Sequence, residues 1–354
     1  MKVLTVIGTR PNFVKAYLLS HQLRGRGHQE IIIHTGQHFD FEMSKVFFKD
    51  LDIPTPNYNL ALRGEAINKM LESIIQVIKK ERPKLIIIYG DTNSSLAGTI
   101  AGYLCQVPVA HVEAGVRTYD LEMVEEKNRM IIDHFSSLLF CPTISAFESL
   151  RQEGYGNKAY FSGDVMYDAV LHSRPKLKNQ KIFKQLQLKP KKYYLLTLHR
   201  QNTVDNKESL IKILSALHTT VPIVFPMHPR TKKNLIKFNL LDRYQKRMTV
   251  IAPLGYIDIL TLISNSKLVI TDSGGLQKEA FFLQIPCVTL LDKPGWIEIV
   301  RSGWNKVTGI DQNKIKSALS LFKKTPPKIS SEQFFGDGHA VDKIINICEE
   351  YISK

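Results

Sequence analysis

In the first half of the chain, carboxylate residues follow apolar segments. Such residues are candidates for proton transfer. Asp91 and Glu113 each come after such a segment. A carboxylate in apolar surroundings is retained when it is paired or used as an acid or base. Further along, Glu125 and Arg129 are four residues apart and would share one face of a helix. The pattern indicates acid–base equipment, although a helix-capping Asp91 and a surface ion pair would produce the same spacing.

Histidines occupy the corresponding places in the second half of the chain. His199 follows the apolar segment 193–198, and His228 follows the segment 221–227. Histidine is the side chain best suited to proton transfer near neutral pH, and its protonated form can hydrogen-bond a phosphate. One such histidine is ambiguous, but two at equivalent positions favour a functional role.

The strongest local signal for phosphate binding is the run Thr-Asp-Ser-Gly-Gly at 271–275, between an apolar segment and a helical pattern. Gly274 and Gly275 let the backbone approach a diphosphate, and Ser273 can cap the helix whose dipole favours the anion. Glu279, one turn further on, could accept hydrogen bonds from ribose hydroxyls. The chain has neither a GxGxxG dinucleotide fingerprint nor a GxxxxGK[ST] P-loop.

Two weaker anion or ligand signals lie near the N-terminus. Arg10 and Lys15 stand at a predicted helix start, where Pro11 suits the first helical position and free amides favour an anion. A capped turn with two exposed basic residues would look the same. Gln37 and His38 follow the second apolar segment and could bind a ligand or only the loop backbone.

Short, almost continuously apolar segments alternate with amphipathic segments of helical length along the chain. Such segments are typical of strands buried on both faces of a parallel sheet. They form two series, separated by a lysine-rich stretch at 175–192. The apolar segments are 3–7, 30–34, 85–89, 107–111 and 138–141 in the first series, and 193–198, 221–225, 248–251, 268–270 and 287–291 in the second.

This alternation predicts the α/β class, with two Rossmann-like doubly wound domains and an interdomain cleft. We place the N-terminal domain at residues 1–168 and the C-terminal domain at 169–337. Ligands of doubly wound sheets bind beyond the carboxyl ends of the strands, so we expect the ionisable residues described above to lie near a ligand.

The composition restricts the classes of partner. The 354 residues include 48 Lys and Arg against 33 Asp and Glu, a formal net charge of +15. These basic residues are spread along the chain and no nucleic-acid-binding module is recognisable, so we expect no nucleic-acid partner. The apolar stretches fall well short of the roughly 20 residues of a membrane helix. The four cysteines have neither zinc-site nor disulfide-framework spacing, and we expect a cytoplasmic protein without a metal.

Taken together, the motifs resemble those of the non-hydrolysing UDP-N-acetylglucosamine 2-epimerases, from residue 2 to about 309. In the order of that family they are Gly8-Thr9-Arg10-Pro11, Thr35-Gly36-Gln37-His38, Gly90-Asp91-Thr92-Asn93-Ser94, His111-Val112-Glu113-Ala114-Gly115, Glu125-Glu126-Lys127-Asn128-Arg129, His199-Arg200, His228-Pro229-Arg230 and Thr271-Asp272-Ser273-Gly274-Gly275. The resemblance implies the glycosyltransferase-B arrangement, with a last helix at about 338–354 that packs back on the N-terminal domain. It also implies a homodimer, no nicotinamide cofactor and no metal.

The reaction implied by the resemblance is inversion at C2 of a UDP-N-acetylhexosamine, of the UDP-N-acetylglucosamine to UDP-N-acetylmannosamine type, for surface polysaccharide synthesis. A base removes the C2 proton while UDP leaves C1 to give a 2-acetamidoglycal, and UDP adds back as a proton reaches the other face. Two faces of one carbon require more than one proton-transfer group. The matching residues are Asp91, Glu113, Glu125 and His199 as catalytic candidates, Arg129 to orient the carboxylates, and Arg10, Lys15, His38, Ser273, Gly274, Gly275 and Glu279 to bind the UDP-sugar.

The stretch 291–298 departs from the pattern of the family, which has two further arginines and one further glutamate there. It contains Trp296 and Glu298, and in this it is similar to the branch that acts on UDP-2,3-diacetamido-2,3-dideoxy-glucuronate. That acidic sugar nucleotide is therefore an alternative substrate. A glycosyltransferase on the same scaffold is a second alternative, because a fold alone does not determine a function.

Overall fold

Two compact units make up the chain. The computed structural model describes residues 1–37, 48, 50–62, 67–178, 181–322 and 332–354. One unit comprises Met1–Leu171 together with Glu332–Lys354, and the other comprises His172–Ser331. The first unit is therefore assembled from two separate stretches of sequence.

The strands of the first unit form one parallel sheet. They are β1 (Lys2–Ile7), β2 (Gln29–His34), β3 (Tyr58–Asn59), β4 (Leu85–Tyr89), β5 (Val109–Val112), β6 (Leu138–Cys141) and β7 (Ala159–Phe161). Their order in the sheet is β3-β2-β1-β4-β5-β6-β7. The order reverses between β1 and β4, and in doubly wound sheets ligands bind beyond the strand ends at such a switch point.

Helices connect these strands, as a parallel sheet requires. They are α1 (Arg10–Gly25), α2 (Ile67–Glu81), α3 (Asn93–Leu104), α4 (Val124–Phe135), α5 (Ile144–Gln152) and α6 (Val165–Ser173). Apolar side chains of α2 and α3, including Ile74 and Leu96, pack with Val6 and Ile88 of the sheet to form a core. The switch point thus stands on a rigid, buried support.

The second unit repeats this design with a parallel sheet of its own. Its strands are β8 (Tyr194–Thr197), β9 (Ile223–Pro226), β10 (Thr249–Ile251), β11 (Leu268–Thr271), β12 (Cys287–Thr289) and β13 (Asn305–Val307). They lie in the order β10-β9-β8-β11-β12-β13, which reverses between β8 and β11. The second unit therefore has its own switch point.

The helices of the second unit are mostly shorter than those of the first. After a 3-10 turn at Arg174–Lys178 they are α7 (Lys181–Leu186), α8 (Gln201–Val204), α9 (Lys207–Ala216), α10 (Pro229–Lys237), α11 (Leu241–Gln245), α12 (Tyr256–Asn265), α13 (Gly274–Phe282), α14 (Ile297–Arg301) and α15 (Gln312–Leu321). Leu196, Phe225 and Ile213 are among the residues of the core on which this sheet packs.

The chain then returns to the first unit through α16 (Glu332–Phe335) and α17 (Ala340–Ser353). Helix α17 packs against α1. Just beyond α1, Arg26 pairs with Asp342 at 2.8 Å and with Glu349 at 3.3 Å. His28 Nε2 also lies 2.6 Å from Glu349 Oε1. These contacts join the two stretches of sequence that form the unit.

The returning segment contacts the first unit at two glycines. Gly163 and Gly336 both have positive φ, and a Cβ on Gly336 would lie 2.8 Å from the Cα of Gly163. Asp164 N donates to the carbonyl of Phe335 at 2.9 Å. The backbones touch here, so neither glycine has room for a side chain.

The parallel sheets of both units confirm the predicted α/β class and its Rossmann-like design. The apolar segments of the sequence coincide with ten of the strands, with shifts of up to two residues at their ends. The short strands β3, β7 and β13 were not predicted. In the part of the chain that the structure describes, none of the helices combines the length and apolar character needed to cross a membrane.

Candidate active site

The turn after β1 is tied to the end of β4 by Asn12. Its Nδ2 donates to the carbonyl of Tyr89 at 2.8 Å, and its Oδ1 accepts from the hydroxyl and the backbone N–H of Thr9 at 2.9 and 3.2 Å. Helix α1 begins directly afterwards at Arg10, which is partly exposed. The two strand ends at the switch point are therefore held together by hydrogen bonds.

Lys15 and Glu113 form an ion pair beside this turn. Lys15 Nζ is 2.6 Å from Glu113 Oε1, and both side chains are at most one-tenth exposed. Glu113 has a φ of +74°, an uncommon conformation for a residue with a side chain. Gly90 lies alongside, and a Cβ there would be 2.8 Å from Lys15 Nζ. Lys15, predicted to bind the UDP-sugar, is thus bonded to a predicted catalytic carboxylate.

Arg129 of α4 lies among carboxylates. Its Nη2 pairs with Asp91 Oδ2, and its Nη1 is 2.9 Å from Glu126 Oε2. Burial opposes the charge of Arg129, but Asp91, Glu113 and Glu126 outweigh burial and raise its pKa. Of the predicted catalytic residues, Asp91 and Glu113 are thus both close enough for their negative charges to stabilise the positive charge of Arg129.

Helical spacing places Glu125 on the same face as Arg129, but the glutamate that Arg129 bonds is Glu126. Helix α4 begins at Val124, and this start turns Glu125 towards solvent. Glu126 is buried, and the backbone N–H groups of Thr118 and of the next residue donate to its carboxylate at 2.9–3.1 Å. Burial alone would raise the pKa of Glu126, but these bonds and Arg129 lower it.

Asn128 is a further residue of this cluster, and the sequence motifs assigned it no role. Its Nδ2 donates to the carbonyl of Asp91 at 2.9 Å and to Asn93 Oδ1 at 3.0 Å. Helix α4 thereby holds the backbone of Asp91 through Asn128 and the side chain of Asp91 through Arg129.

The side chain of Gln37 is hydrogen-bonded within the protein, to Ser94. Its Oε1 accepts from the backbone N–H and the hydroxyl of Ser94 at 3.0 and 2.7 Å, near the start of α3. Thr35 Oγ1 lies 2.7 Å from the same hydroxyl. The predicted substrate-binding residue His38 lies outside the described residues.

In the second unit, the switch point is organised by the buried carboxylate of Asp272. It accepts from the backbone N–H groups of His199 and Arg200 at 3.0 and 2.9 Å, and His199 Nδ1 is 3.2 Å from its Oδ1. Burial would raise the pKa of Asp272, but these bonds lower it. A hydrogen on Nδ1 leaves the lone pair of His199 on Nε2, the arrangement of a general base.

His199 is partly exposed, as a proton-transfer group must be. The ring of His228 lies with its centre 5.8 Å from that of His199. His228 Nδ1 accepts from the backbone N–H of Arg230 and so caps α10. Asp272 itself was recognised in the sequence only as part of a motif, and its role in holding His199 required the structure.

The start of α13 has the features predicted for an anion site. Ser273 is its N-cap and accepts from Leu276 N, while Gly274 and Gly275 are the first helical residues and are partly exposed. A Cβ on Gly274 would meet no atom of the described protein closer than 4.0 Å, the distance to Trp296 Nε1. The space over this turn is therefore not needed by the packing of the unit.

Trp296 is hydrogen-bonded to this turn. Its Nε1 donates to the carbonyl of Gly274 at 3.2 Å, and the Nζ of Lys278 lies 4.2 Å from the centre of its ring. Glu279, predicted to accept from ribose hydroxyls, is buried in the same helix. In the part of the chain that the structure describes, no group of three His, Cys, Asp or Glu side chains could hold a metal ion.

Two parallel-sheet units, each with ionisable groups at its switch point, define a two-unit α/β enzyme of the glycosyltransferase-B type. The family model described as UDP-N-acetylglucosamine 2-epimerase matches residues 21–349. The chain belongs to this family of epimerases.

Curated relatives and solved structures agree with the family. A UDP-N-acetylglucosamine 2-epimerase homolog of Methanococcus maripaludis is 43% identical over 98% of this chain and 99% of its own length. The UDP-2,3-diacetamido-2,3-dideoxy-D-glucuronate 2-epimerase of Pseudomonas aeruginosa is 40% identical over the full length of both chains. The UDP-GlcNAc 2-epimerase of Methanocaldococcus jannaschii, solved in complex with UDP-GlcNAc and UDP, superposes with a TM-score of 0.90 at 36% identity and covers 99% of this chain and 100% of its own.

Proposed function

We propose that this protein interconverts UDP-N-acetylglucosamine and UDP-N-acetylmannosamine by inversion at C2. The observation that carries the proposal is the pair of carboxylates at the ends of the adjacent strands β4 and β5. Asp91 is held by Arg129, and Glu113 is held by Lys15. The relative from M. jannaschii, solved with UDP-GlcNAc and UDP, supports the choice of substrate.

In the proposed reaction, one carboxylate removes the proton from C2. The C2–H electron pair forms the C1=C2 double bond, and the bond from C1 to the diphosphate oxygen breaks with its electrons on UDP. The product is a 2-acetamidoglycal. UDP then attacks C1 while a carboxylic acid delivers a proton to the opposite face of C2. Asp91 and Glu113 suit these roles because each carboxylate is fixed by its own cation, and Glu125 and His199 remain additional candidates.

UDP must be stabilised as it leaves, and the second unit supplies the proposed groups. Ser273, Gly274 and Gly275 at the start of α13 present backbone N–H groups and the positive end of a helix dipole. His199, oriented by Asp272, can donate a hydrogen bond or a proton to the departing phosphate. Arg10, His38 and Glu279 complete the proposed binding set, while Lys15 acts through Glu113.

The proposal is tested by incubating the protein with UDP-N-acetylglucosamine in D₂O and following C2 by NMR. We expect deuterium at C2 and appearance of the manno epimer without any acceptor. A glycosyltransferase would show no exchange at C2. Absence of exchange with both UDP-N-acetylglucosamine and the diacetamido-glucuronate nucleotide would contradict the proposal.

A second candidate substrate is UDP-2,3-diacetamido-2,3-dideoxy-glucuronate. The relative of that name from P. aeruginosa is 40% identical over the whole chain. In addition, Trp296 lies in the stretch 291–298, which differs from the usual family pattern. The same NMR experiment with both nucleotides separates the candidates, because the preferred substrate gives the larger rate of C2 exchange divided by KM.

We also propose that the enzyme is a cytoplasmic homodimer that supplies surface polysaccharide synthesis. Exposed apolar side chains on the packed helices α3 and α4, among them Tyr103, Leu104, Met130 and Ile131, support an interface on this face. Analytical ultracentrifugation is expected to give twice the mass of one chain, and the substitution Ile131→Asp is expected to give the monomer. A monomer for the unaltered protein would contradict this proposal.

A further inference from the structure

The ring of His111 lies beneath the strand ends of the first unit and is fully buried. Its Nδ1 is 2.7 Å from Asp133 Oδ1, and its Nε2 is 3.1 Å from the carbonyl oxygen of Gly90. A carbonyl oxygen only accepts hydrogen bonds, so Nε2 carries a hydrogen. The other ring nitrogen, Nδ1, faces the carboxylate of Asp133.

The carboxylate of Asp133 is ionised. Asp133 is buried, and its Oδ2 is 2.7 Å from Arg117 Nη1 and accepts from Gly115 N at 3.2 Å. Burial alone would raise the pKa of Asp133, but its bonds to His111 and Arg117 outweigh burial and lower the pKa. An ionised carboxylate only accepts hydrogen bonds, so the Nδ1 side of His111 faces an acceptor, as its Nε2 side does.

Charged side chains extend this network beyond His111. Asp133 lies between His111 and Arg117, and Arg117 also pairs with Glu153 at 2.7 Å. The four side chains form one continuous network, in which Arg117 is paired with two carboxylates. Charge-assisted hydrogen bonds of this kind are stronger than neutral ones. The network is therefore well suited to hold a backbone group in one position.

The backbone group that it holds is the carbonyl of Gly90, in the turn that presents Asp91. Gly90 has a φ of +61° and donates its N–H to the carbonyl of Val112 at 2.8 Å. A Cβ at this position would lie 3.4 Å from Glu113 Oε1 and 2.8 Å from Lys15 Nζ. A small movement of Gly90 would therefore displace both proposed catalytic carboxylates.

We propose that His111 and Asp133 are positioning residues for the epimerisation proposed above, on which this inference rests. The ring of His111, held by Asp133, fixes the carbonyl of Gly90, and with it the turn that presents Asp91. Asp133 is on α4, four residues after Arg129, so the same bond sets that helix against the turn. Neither residue touches the substrate in this proposal.

The test compares His111→Phe with His111→Gln. Phenylalanine fills the space but donates to neither acceptor, whereas the glutamine amide can donate to the carbonyl of Gly90. We expect kcat for C2 exchange to fall about 100-fold in His111→Phe, as for a reacting group displaced by about 1 Å. His111→Gln is expected to recover about a tenth of the unaltered kcat, while KM and the Kd for UDP change less than about threefold in both, because only the transition state senses the misplacement.

Two further variants separate positioning from general destabilisation. Asp133→Asn can donate to a neutral His111 that still donates to Gly90, so we expect it to retain kcat within about tenfold, a loss smaller than that of His111→Phe. Ser20→Ala removes a hydrogen bond to the buried carboxylate of Glu30, elsewhere in the same unit. This control is expected to lower the melting temperature and to leave kcat unchanged.

Retention of kcat within threefold by His111→Phe would overturn the inference. So would equal losses of kcat and UDP affinity in His111→Phe and His111→Gln, since that pattern indicates only damaged folding. If His111→Phe does not fold, a kcat of His111→Gln as low as that of a Glu113→Gln variant would overturn it. Failure of the unaltered protein to exchange deuterium at C2 would instead contradict the proposed function.

Discussion

The two switch points hold their ionisable groups in different ways. In the first unit, Asp91 and Glu113 are each paired with a cation, Arg129 and Lys15. In the second unit, the buried Asp272 is bonded by backbone N–H groups and by a partly exposed imidazole. Buried charges are tolerated in both, but only the first unit fixes them with full opposite charges.

This difference suggests that the two units have different roles in the proposed reaction. Carboxylates fixed by cations are suited to exchanging a proton with a carbon, since their geometry is set before the substrate arrives. A helix start with open space above it, next to an oriented histidine, is suited to receiving a negative leaving group. We therefore expect changes in the first unit to affect chemistry and changes in the second to affect UDP.

The largest expected effect is that of Glu113→Gln. The amide cannot accept the C2 proton, so we expect deuterium exchange to fall by about 10³-fold or more. UDP affinity measured by calorimetry should stay within about threefold, because the loss is confined to the proton-transfer step. Glu122→Gln on the exposed surface is the matched control. Exchange within tenfold of the unaltered rate would exclude Glu113 as a proton-transfer group.

Asp272→Asn is expected to reduce kcat about 100-fold, because the amide no longer orients His199 as the carboxylate does. It also tests stability against pH. The pKa of Asp272 is lower in the folded protein, so its contribution to stability is present above the unfolded value of about 4 and is lost as the pH falls through the folded value. The difference in melting temperature between the unaltered protein and the variant should shrink in acid. A constant difference would contradict this assignment.

Gly274→Ala is expected to weaken UDP binding about tenfold, since a methyl group would occupy the space where a diphosphate approaches the backbone. The melting temperature should not fall, because the nearest protein atom to the new Cβ is 4.0 Å away. Gly25→Ala, which also meets open space, is the matched control in the first unit. Equal UDP affinity for Gly274→Ala and the unaltered protein would remove α13 from the binding site.

Asp168 is expected to have the smallest effect on activity, because its substitution affects stability alone. Burial raises its pKa to about 6, although the backbone N–H of Val341 donates to it at 2.8 Å. Because this pKa lies above the unfolded value, the folded protein loses stability as the pH rises from about 4 to about 6. Asp168→Asn should therefore gain about 3 kcal/mol relative to the unaltered protein between pH 4 and pH 8, with unchanged kcat. Chemical denaturation at the two pH values checks this, and a pH-independent difference would contradict it.

Most of the architecture could be predicted from the sequence, because strands buried on both faces are continuous apolar runs. Strand β4, Leu85–Tyr89, was predicted with its observed bounds. Strands β3 and β13 escaped prediction for a physical reason. Tyr58–Asn59 is too short to form a pattern, and Asn305–Val307 has a polar and a charged residue among its three.

The candidate residues could be named from the sequence, but most of their partners could not. Lys15 and Glu113 are 98 positions apart, and only the sheet order brings them together. Glu125 and Glu126 are indistinguishable by type. Glu126 is the buried one of the two, and the backbone N–H of Thr118 donates to its carboxylate. This partner is set by the conformation of the preceding loop, which helical spacing does not predict.

The first unit contains stretches of sequence from both sides of the second unit, and this affects the order of events during synthesis. A ribosome synthesises Glu332–Lys354 after the second unit, so α1 lacks its partner helix until that segment has emerged. The second unit, His172–Ser331, is continuous and has its whole sequence available earlier. Domains generally fold as units, commonly from the N-terminus onward. Here we expect the second unit to reach its folded state first, and the first unit to be completed only when α17 emerges.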